Sequence, residues 1–313
     1  MNQELKIFAG NSNIELSKKI ANYLGMSLGE IEIKNFPDGE IFVQINENIR
    51  GKDVFIIQSG CAPVNQNLME LLIILDTCKR SSVSRITAVM PYYCYARQDV
   101  KDASRVPITA KLVADLILKA GANRLLTIDL HSPQIQGFFD IPVDHLYGAP
   151  IFVKYFNQIK NKENYIVVSP DVGRVKRSRS FARRLDLPLA IIDKRRPCQS
   201  VVKVMEIIGD VKDKNIIIFD DIIDTGGTIL EAVKALKEKG AKKIFVGATH
   251  AIFSLDAVQN IENSAIEKVI ISDTIPLSEN KKSEKIEILS ISELFGEAIK
   301  RIHTETSVSD LFK

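Results

Sequence analysis

The sequence predicts an α/β fold built on mostly parallel sheets. Short apolar runs recur along the 313 residues, at 5–10, 53–58, 85–90, 124–129, 165–170, 189–193, 216–221, 244–249 and 268–273. Stretches with helical periodicity lie between many of them, and such alternation is how a chain lays down parallel strands joined by crossover helices. Acidic residues mark several strand ends, with Asp129 and Asp221 closing their runs and Asp171 following its own. That recurrence in both halves hints at a duplicated fold.

The elements follow in order. "LKIFAG" reads as the first strand, and Asn13 caps a helix over "IELSKKIANYL". The runs at 53–58 and 85–90 are each followed by a helical stretch, "NLMELLIILDTCKR" and "PITAKLVADLILKAG". After the strand at 124–129, "IPVDHLYGAP" (141–150) reads as a connection, which puts a domain boundary near residue 147. In the second half "TILEAVKALKEKG" places Ile229, Ala232, Val233 and Leu236 at helical spacing, with Gly240 as a stop.

The totals bound the function. Hydrophobic residues make up 45% and charged residues 26%, as in an ordinary globular protein, and the net charge of +3 does not argue for a nucleic-acid partner. No apolar run reaches 18 residues, so no membrane span is expected. The opening "MNQELKIFAG" lacks the basic-then-apolar pattern of a signal peptide. Cys61, Cys78, Cys94 and Cys198 form no CxxC pair and read as free thiols of a reducing cytoplasm.

The richest stretch is "IIIFDDIIDTGGTI", residues 216–229. A buried strand runs into Asp220 and Asp221, with Asp224 close behind. Ligands of open parallel sheets bind beyond the carboxyl ends of the strands. Glycines at 226 and 227 admit a ligand to the backbone, Thr225 and Thr228 add hydroxyl donors, and a helix starting near Thr228 offers unpaired N–H groups. The turn suits a phosphate, and the carboxylates suit a sugar diol or a hydrated Mg²⁺. A sugar phosphate carries both features. A capped turn with solvated aspartates is the plainer alternative. The chain has no G-x-x-x-x-G-K-[ST] and no G-x-G-x-x-G, so a nucleotide would be held in another way.

"DDIIDTGGT" resembles the phosphoribosyl diphosphate-binding motif of type I phosphoribosyltransferase folds. Together with "NFPDGE" (35–40), "NLMELL" (67–72), "PYYCYARQD" (91–99), "DLHSPQIQGFFDIPVD" (129–144), "IIDKRRP" (191–197) and "SVSDLF" (307–312), it resembles the ribose-phosphate diphosphokinase family, most closely its bacterial, phosphate-activated class. The motifs run in order over nearly the whole chain. The resemblance implies two similar phosphoribosyltransferase-like domains, 1–147 on the ATP side, joined by the tail 301–313, and 148–300 on the ribose 5-phosphate side, with the active site between them. It implies transfer of the diphosphoryl group of ATP to the C1 hydroxyl of ribose 5-phosphate, giving 5-phosphoribosyl 1-diphosphate and AMP for nucleotide biosynthesis.

The same resemblance assigns roles. Asp224, Thr225, Gly226, Gly227 and Thr228 would hold the 5-phosphate, and Asp220 and Asp221 the ribose hydroxyls. Lys194 and Arg196, in a loop between a strand and the next helix, would stabilise the transferring group, as phosphoryl transfer asks for charge more than for covalent help. Out of context "DKRRP" is a solvated basic loop. Arg97 and Gln98 would lie near ATP, with Arg97 on the polyphosphate. Phe36 would pack on adenine, with Asp38, Gly39 and Glu40 at the polar edge; out of context Phe36 would be a core residue. His131 and Asp171 would be Mg²⁺ partners, with Asp129, Asp140 and Asp144 ranked lower. Mg²⁺ as cofactor, inorganic phosphate as activator, a cytoplasmic location and a homo-oligomer, commonly a hexamer, complete the expectation.

Three residues depart from the family pattern. Val100 stands where a basic residue usually follows "ARQD". Arg174 replaces the second glycine of "SPDxGG", where it would alter the backbone near Asp171 or add a phosphate contact. Leu255 stands at the glycine of "FSG", at a turn. A base-attaching phosphoribosyltransferase explains "DDIIDTGGT" equally well but not the remaining motifs, and a non-catalytic homologue would be expected to disrupt "IIDKRRP".

Overall fold

The computed structural model describes residues 4–195 and 204–312. The chain forms two compact units, Met1–Tyr147 with Thr274–Pro276 and Ser290–Lys313 in one, and Gly148–Asp273 with Leu277–Leu289 in the other.

The first unit opens with β1 (Leu5–Ala9) and α1 (Ile14–Tyr23), and Asn13 caps α1 by accepting from the Leu16 amide at 3.2 Å. Then come β2 (Ile31–Asn35), β3 (Ile41–Ile45), β4 (Asp53–Ile57), α2 (Val64–Arg80), β5 (Arg85–Met90), α3 (Thr109–Ala120), β6 (Arg124–Ile128) and β7 (Val143–Leu146). Five strands make a parallel sheet in the order β1-β4-β5-β6-β7. Every residue of β4 is buried, as expected of a strand covered on both faces. Val54 and Ile56 join Ile86, Ala88 and Met90 in a core closed by Leu71 and Leu75 of α2 and Val113 and Ile117 of α3.

The second unit holds α4 (Ala149–Phe156), β8 (Tyr165–Ser169), α5 (Val175–Leu185), β9 (Leu189–Arg195), β10 (Val204–Ile208), β11 (Asn215–Ile223), α6 (Gly227–Glu238), β12 (Ile244–Ala251), α7 (Ala257–Glu262), β13 (Lys268–Ser272) and β14 (Ile286–Leu289). Its sheet runs β10-β9-β8-β11-β12-β13-β14, parallel except for β10. Side chains of a strand alternate between faces. Ile216 and Ile218 of β11 therefore pack with Ala232, Val233 and Leu236 of α6 and Ile261 of α7. Ile217 and Phe219 pack on the opposite side with Phe152 and Phe156 of α4 and Phe181 and Leu185 of α5. Phe219 stacks on Phe181 at 4.5 Å and meets Phe152 at 4.9 Å. Its neighbour in β12 is Gly247, where an added Cβ would come within 3.1 Å of the Phe219 ring and 3.3 Å of Phe152. The aromatic stack thus occupies the space a larger residue would need.

The last helix, α8 (Ser292–His303), belongs to the first unit and packs on α1. Gly296 permits the approach, since a Cβ there would meet the Tyr23 ring at 2.3 Å. Asp53, fully buried, accepts from Arg85 Nε at 2.8 Å and Nη2 at 2.5 Å, and His303 Nδ1 lies 2.8 Å away. Arg85 Nη2 also donates to the Ile302 carbonyl at 3.0 Å, so this buried ion cluster ties β4 and β5 to the end of α8.

The apolar runs expected as strands all lie on strands. Among the described residues, five further strands were not expected. Residues 31–45 form the antiparallel hairpin β2-β3, whose Ile31, Ile33, Val43 and Ile45 pack on the core while Glu32, Lys34 and Gln44 face solvent. The segment read as a connection at 141–150 contains β7, which pairs with β6. β14 adds an edge beside β13. The expectation that Lys194 sits in a loop leading to a helix is corrected: β9 continues through Arg195, and antiparallel β10 follows, pairing Met205 with Lys194 and Glu206 with Asp193. A partner strand carries the ladder past the charges, which an edge position tolerates.

Replacing Phe219 by Ala should cost about 3–5 kcal/mol of unfolding free energy, the usual range for a buried aromatic truncated to Ala. Urea unfolding followed by far-UV circular dichroism measures it, and a loss below about 1 kcal/mol would mean that the stack does not hold β11.

Candidate active site

In the second unit the strand order reverses at β8. β9 lies on one side of it and the later strand β11 on the other. Crevices of doubly wound sheets open at such a reversal, beyond the carboxyl ends of the strands. Asp171 follows β8, Lys194 lies near the end of β9, and Asp220 and Asp221 lie near the end of β11. These expected residues therefore share one edge of one sheet. Arg196 lies outside the described residues.

Beyond Phe219 the simple alternation of faces is lost: Ile223 packs with Ile216 and Ile218 in the α6 core, and one guanidinium reaches both Asp220 and Asp221. Asp220 is 8% exposed and Asp221 fully buried. Two adjacent buried carboxylates are costly without cations. Arg174, just before α5, supplies one, with Nη1 2.9 Å from Asp221 Oδ1 and Nε 3.4 Å from Asp220 Oδ1. Arg177, one turn on, reaches Asp221 Oδ1 at 3.4 Å. The Asp221 amide donates to Asp220 Oδ1 at 2.9 Å. Burial raises the Asp220 carboxyl above the ordinary carboxylate range, Asp221 pushes the same way, and Arg174 opposes both. Arg177 was not singled out in the sequence; its position three residues after Arg174 at the start of a helix was the available signal.

Asp171 caps the short 3₁₀ turn Val172–Arg174, its Oδ1 accepting from the Arg174 amide at 2.9 Å. Arg174 has φ −93°, which any residue adopts, so the arginine does not distort the backbone beside Asp171.

The turn after β11 has the form expected for an anion. α6 begins at Gly227, one residue before the expected Thr228. Gly226 precedes it in a left-handed conformation, φ +77°, and no side chain caps the helix. An open helix N-terminus presents amides to an anion. A Cβ on Gly227 would meet only Thr225 Oγ1, at 3.8 Å. Thr225, Gly227 and Thr228 are exposed, and Asp224 is half-buried. Leu255, the third departure, stands in the left-handed region at φ +54° with 87% of its surface exposed, a backbone better suited to the glycine it replaces.

The remaining expected residues lie in the first unit. Phe36 is not core: it is 47% exposed at the tip of the β2-β3 hairpin, edge-on to Phe42 at 6.0 Å. The turn closes through Phe36 N to the Glu40 carbonyl at 2.7 Å and Glu40 N to Asp38 Oδ1 at 3.1 Å, with Gly39 at φ +96°. Arg97 is exposed in the loop after β5, as is Val100. Gln98 beside it is tied to the start of α3, accepting from Thr109 Oγ1 at 2.5 Å and, through its carbonyl, from Ala110 N at 3.1 Å. His131 follows β6, the strand next to β5, so Arg97 and His131 extend from the same edge. Before it, Asp129 is buried in the left-handed region at φ +42°, a strain that a plain loop would relax. His145 Nε2 accepts from the Leu130 amide at 2.9 Å and so holds this loop against β7.

Among the described residues no group of three or more His, Cys, Asp or Glu is placed to hold a metal ion. No helix among them is long and apolar enough to cross a membrane. Cys61, Cys78 and Cys94 are free and buried, and burial pushes the Cys78 and Cys94 thiols up to about 12.

Residues 5–121 match the model of the N-terminal domain of ribose phosphate pyrophosphokinase, and residues 197–313 that of the phosphoribosyl synthetase-associated domain. A ribose-phosphate pyrophosphokinase of Clostridium tetani is 57% identical over 99% of this chain and 98% of its own length. The chain belongs to the ribose-phosphate pyrophosphokinase family. The Haemophilus influenzae member is 54% identical, covering 99% of each chain. A crystal structure of phosphoribosylpyrophosphate synthetase from Mycobacterium smegmatis superposes with a TM-score of 0.92 at 42% identity, over 97% of this chain and 100% of that one. The likeness spans both units, as the motifs taken together predict, and sets aside the alternative of a base-attaching transferase that the "DDIIDTGGT" motif alone leaves open.

The two glycines of the turn should respond differently. Gly226→Ala forces an L-residue into the left-handed region and should lower the unfolding free energy by about 1–2 kcal/mol. Gly227→Ala should leave it unchanged or raise it by up to about 1 kcal/mol, since Ala suits a helix. Parallel urea titrations test the pair, and equal losses would contradict the turn described.

Proposed function

We propose that the chain transfers the β,γ-diphosphoryl group of ATP to the C1 hydroxyl of ribose 5-phosphate, giving 5-phosphoribosyl 1-diphosphate and AMP, and so supplies nucleotide biosynthesis. Its membership of the pyrophosphokinase family supports the reaction. The observation that carries the site is the open turn Thr225–Thr228 at the end of β11, beside two buried carboxylates.

The second unit takes ribose 5-phosphate. The 5-phosphate sits on the amides that open α6, with Asp224 and the Thr225 and Thr228 hydroxyls around it. Ribose hydroxyls donate to Asp220 and Asp221. A phosphate at the helix start and a diol at the carboxylates fix both ends of the sugar and leave its anomeric oxygen free to attack, which is the positional part of catalysis. The first unit takes ATP. Phe36 offers an exposed ring face to adenine, Asp38, Gly39 and Glu40 form its polar border, and Arg97 pairs with phosphate oxygens while Gln98 steadies the loop. The C1 oxygen bonds to the β-phosphorus and gives up its hydroxyl proton to solvent, the bond from that phosphorus to the α-phosphate's bridging oxygen breaks, and AMP leaves with that oxygen. Lys194 and Arg196 neutralise charge on the transferring group.

His131 and Asp171 are the proposed Mg²⁺ partners. One imidazole and one carboxylate suit an ion that arrives on a polyphosphate and keeps much of its water, as Mg²⁺ does. When bound, the ion would offset the negative charge of the ATP phosphates. By the family resemblance the chain works as a homo-oligomer, a hexamer, with inorganic phosphate as activator. Buried free thiols suit a reducing cytoplasm.

Incubation with Mg²⁺, phosphate, ATP and ribose 5-phosphate should yield AMP together with phosphoribosyl diphosphate, resolved by ion-exchange chromatography. ADP as the nucleotide product would overturn the reaction. Lys194→Ala should lower kcat by a factor of about 100 or more while changing ribose 5-phosphate affinity by less than about threefold, because its charge is needed only as the phosphoryl group transfers. Equal losses in both would remove Lys194 from that role.

A further inference from the structure

Arg174 bridges the carboxylates that the sugar needs. Its guanidinium contacts Asp221 at 2.9 Å and Asp220 at 3.4 Å, whereas Arg177 is paired with Asp221, at 3.4 Å. The two arginines stand on different supports. Arg177 is held within α5, and Arg174 ends the 3₁₀ turn that Asp171 caps. Resting on the reading that Asp220 and Asp221 accept ribose hydroxyls, we propose that Arg174 is the resident cation of the sugar site, which ribose 5-phosphate displaces from the carboxylates as it binds.

Three observations support the displacement. Both contacts are made to Oδ1, so a diol that donates to the same oxygens meets the guanidinium there. Arg174 and Arg177 are about equally exposed, 23% and 22%, so what singles out Arg174 is that it alone of the two is paired with both carboxylates in the contacts above. Arg177 remains on Asp221, the fully buried member, so the deeper carboxylate keeps a cation when Arg174 leaves. A site that must first release its own cation binds more weakly by the fraction of time it is open. Arg174 is thus an affinity-setting residue that acts through the carboxylates, with no part in phosphoryl transfer.

The test is calorimetric titration of ribose 5-phosphate, without nucleotide, into the wild-type chain, Arg174→Gln and Arg174→Gly. The backbone at φ −93° accepts all three residues, and thermal melts establish that the variants fold. Both variants should bind ribose 5-phosphate about three- to tenfold more tightly, the span that a partly exposed ion pair can set. Arg174→Lys, which keeps the charge without the fork, should fall between and serves if the other two unfold. Unchanged affinity in folded variants overturns the proposal. Weaker binding also overturns it, since Arg174 would then be a phosphate ligand. AMP formation is scored separately. A wild-type chain that binds ribose 5-phosphate but makes no AMP sinks the reaction and leaves the displacement standing. AMP formation with no tightening in the variants does the reverse.

Discussion

Two carboxylates on consecutive residues at the end of a buried central strand are the constraint to which the rest of the second unit answers. An uncompensated buried charge is among the most expensive things a fold can hold. One guanidinium, that of Arg174, reaches both Asp220 and Asp221, and Arg177 adds a second cation to the deeper of the two. The start of α5 supplies these arginines, and α6 opens after the strand with bare amides. The Phe152–Phe219–Phe181 contacts lie immediately before the pair and anchor that part of the strand against α4 and α5. Charge, helix placement and aromatic packing are three solutions to one electrostatic problem, and together they leave an edge suited to a sugar phosphate.

The first unit reaches a comparable end by other means. Its candidate groups stand on a hairpin turn and on loops after adjacent strands. They are held by short-range ties: Gln98 to the start of α3, Leu130 to His145, and the Phe36 turn to itself. Strain at Asp129 precedes His131, and strained backbone persists only where its surroundings over-determine it. The buried thiols with raised pKa show the contrasting case of reactive side chains spent on packing and kept out of chemistry.

Much of this was legible in the sequence, for reasons that differ by residue. Runs such as 54–57 and 216–219 are apolar at every position because both faces of a parallel strand are covered, and that signal is strong. The Asn13 cap and the Gly226–Gly227 turn were readable because capping and left-handed backbone admit few residue types. The hairpin at 31–45 carries only a weak signal, because each strand is five residues long and Phe42 interrupts the alternation of Ile31, Ile33, Val43 and Ile45 with polar residues. β7, β10 and β14 are short edge strands, whose pairing depends on a neighbour found only in the fold. Arg174 was visible as an odd residue, but its partners lie some 46 positions away, across the sheet. Arg196 lies beyond the described residues, and Lys194 was misplaced because three cations look like a loop when the strand opposite is unseen.

The ion cluster of Asp53, Arg85 and His303 joins the beginning of the chain to its distant end. During synthesis β4 and β5 emerge early, and Asp53 must be buried in a unit whose remaining helix, Ser292–His303, is still untranslated. The whole second unit is made in the interval. A nascent chain therefore has reason to complete its later-encoded half first, reversing the usual amino-to-carboxyl order in which domains mature on the ribosome.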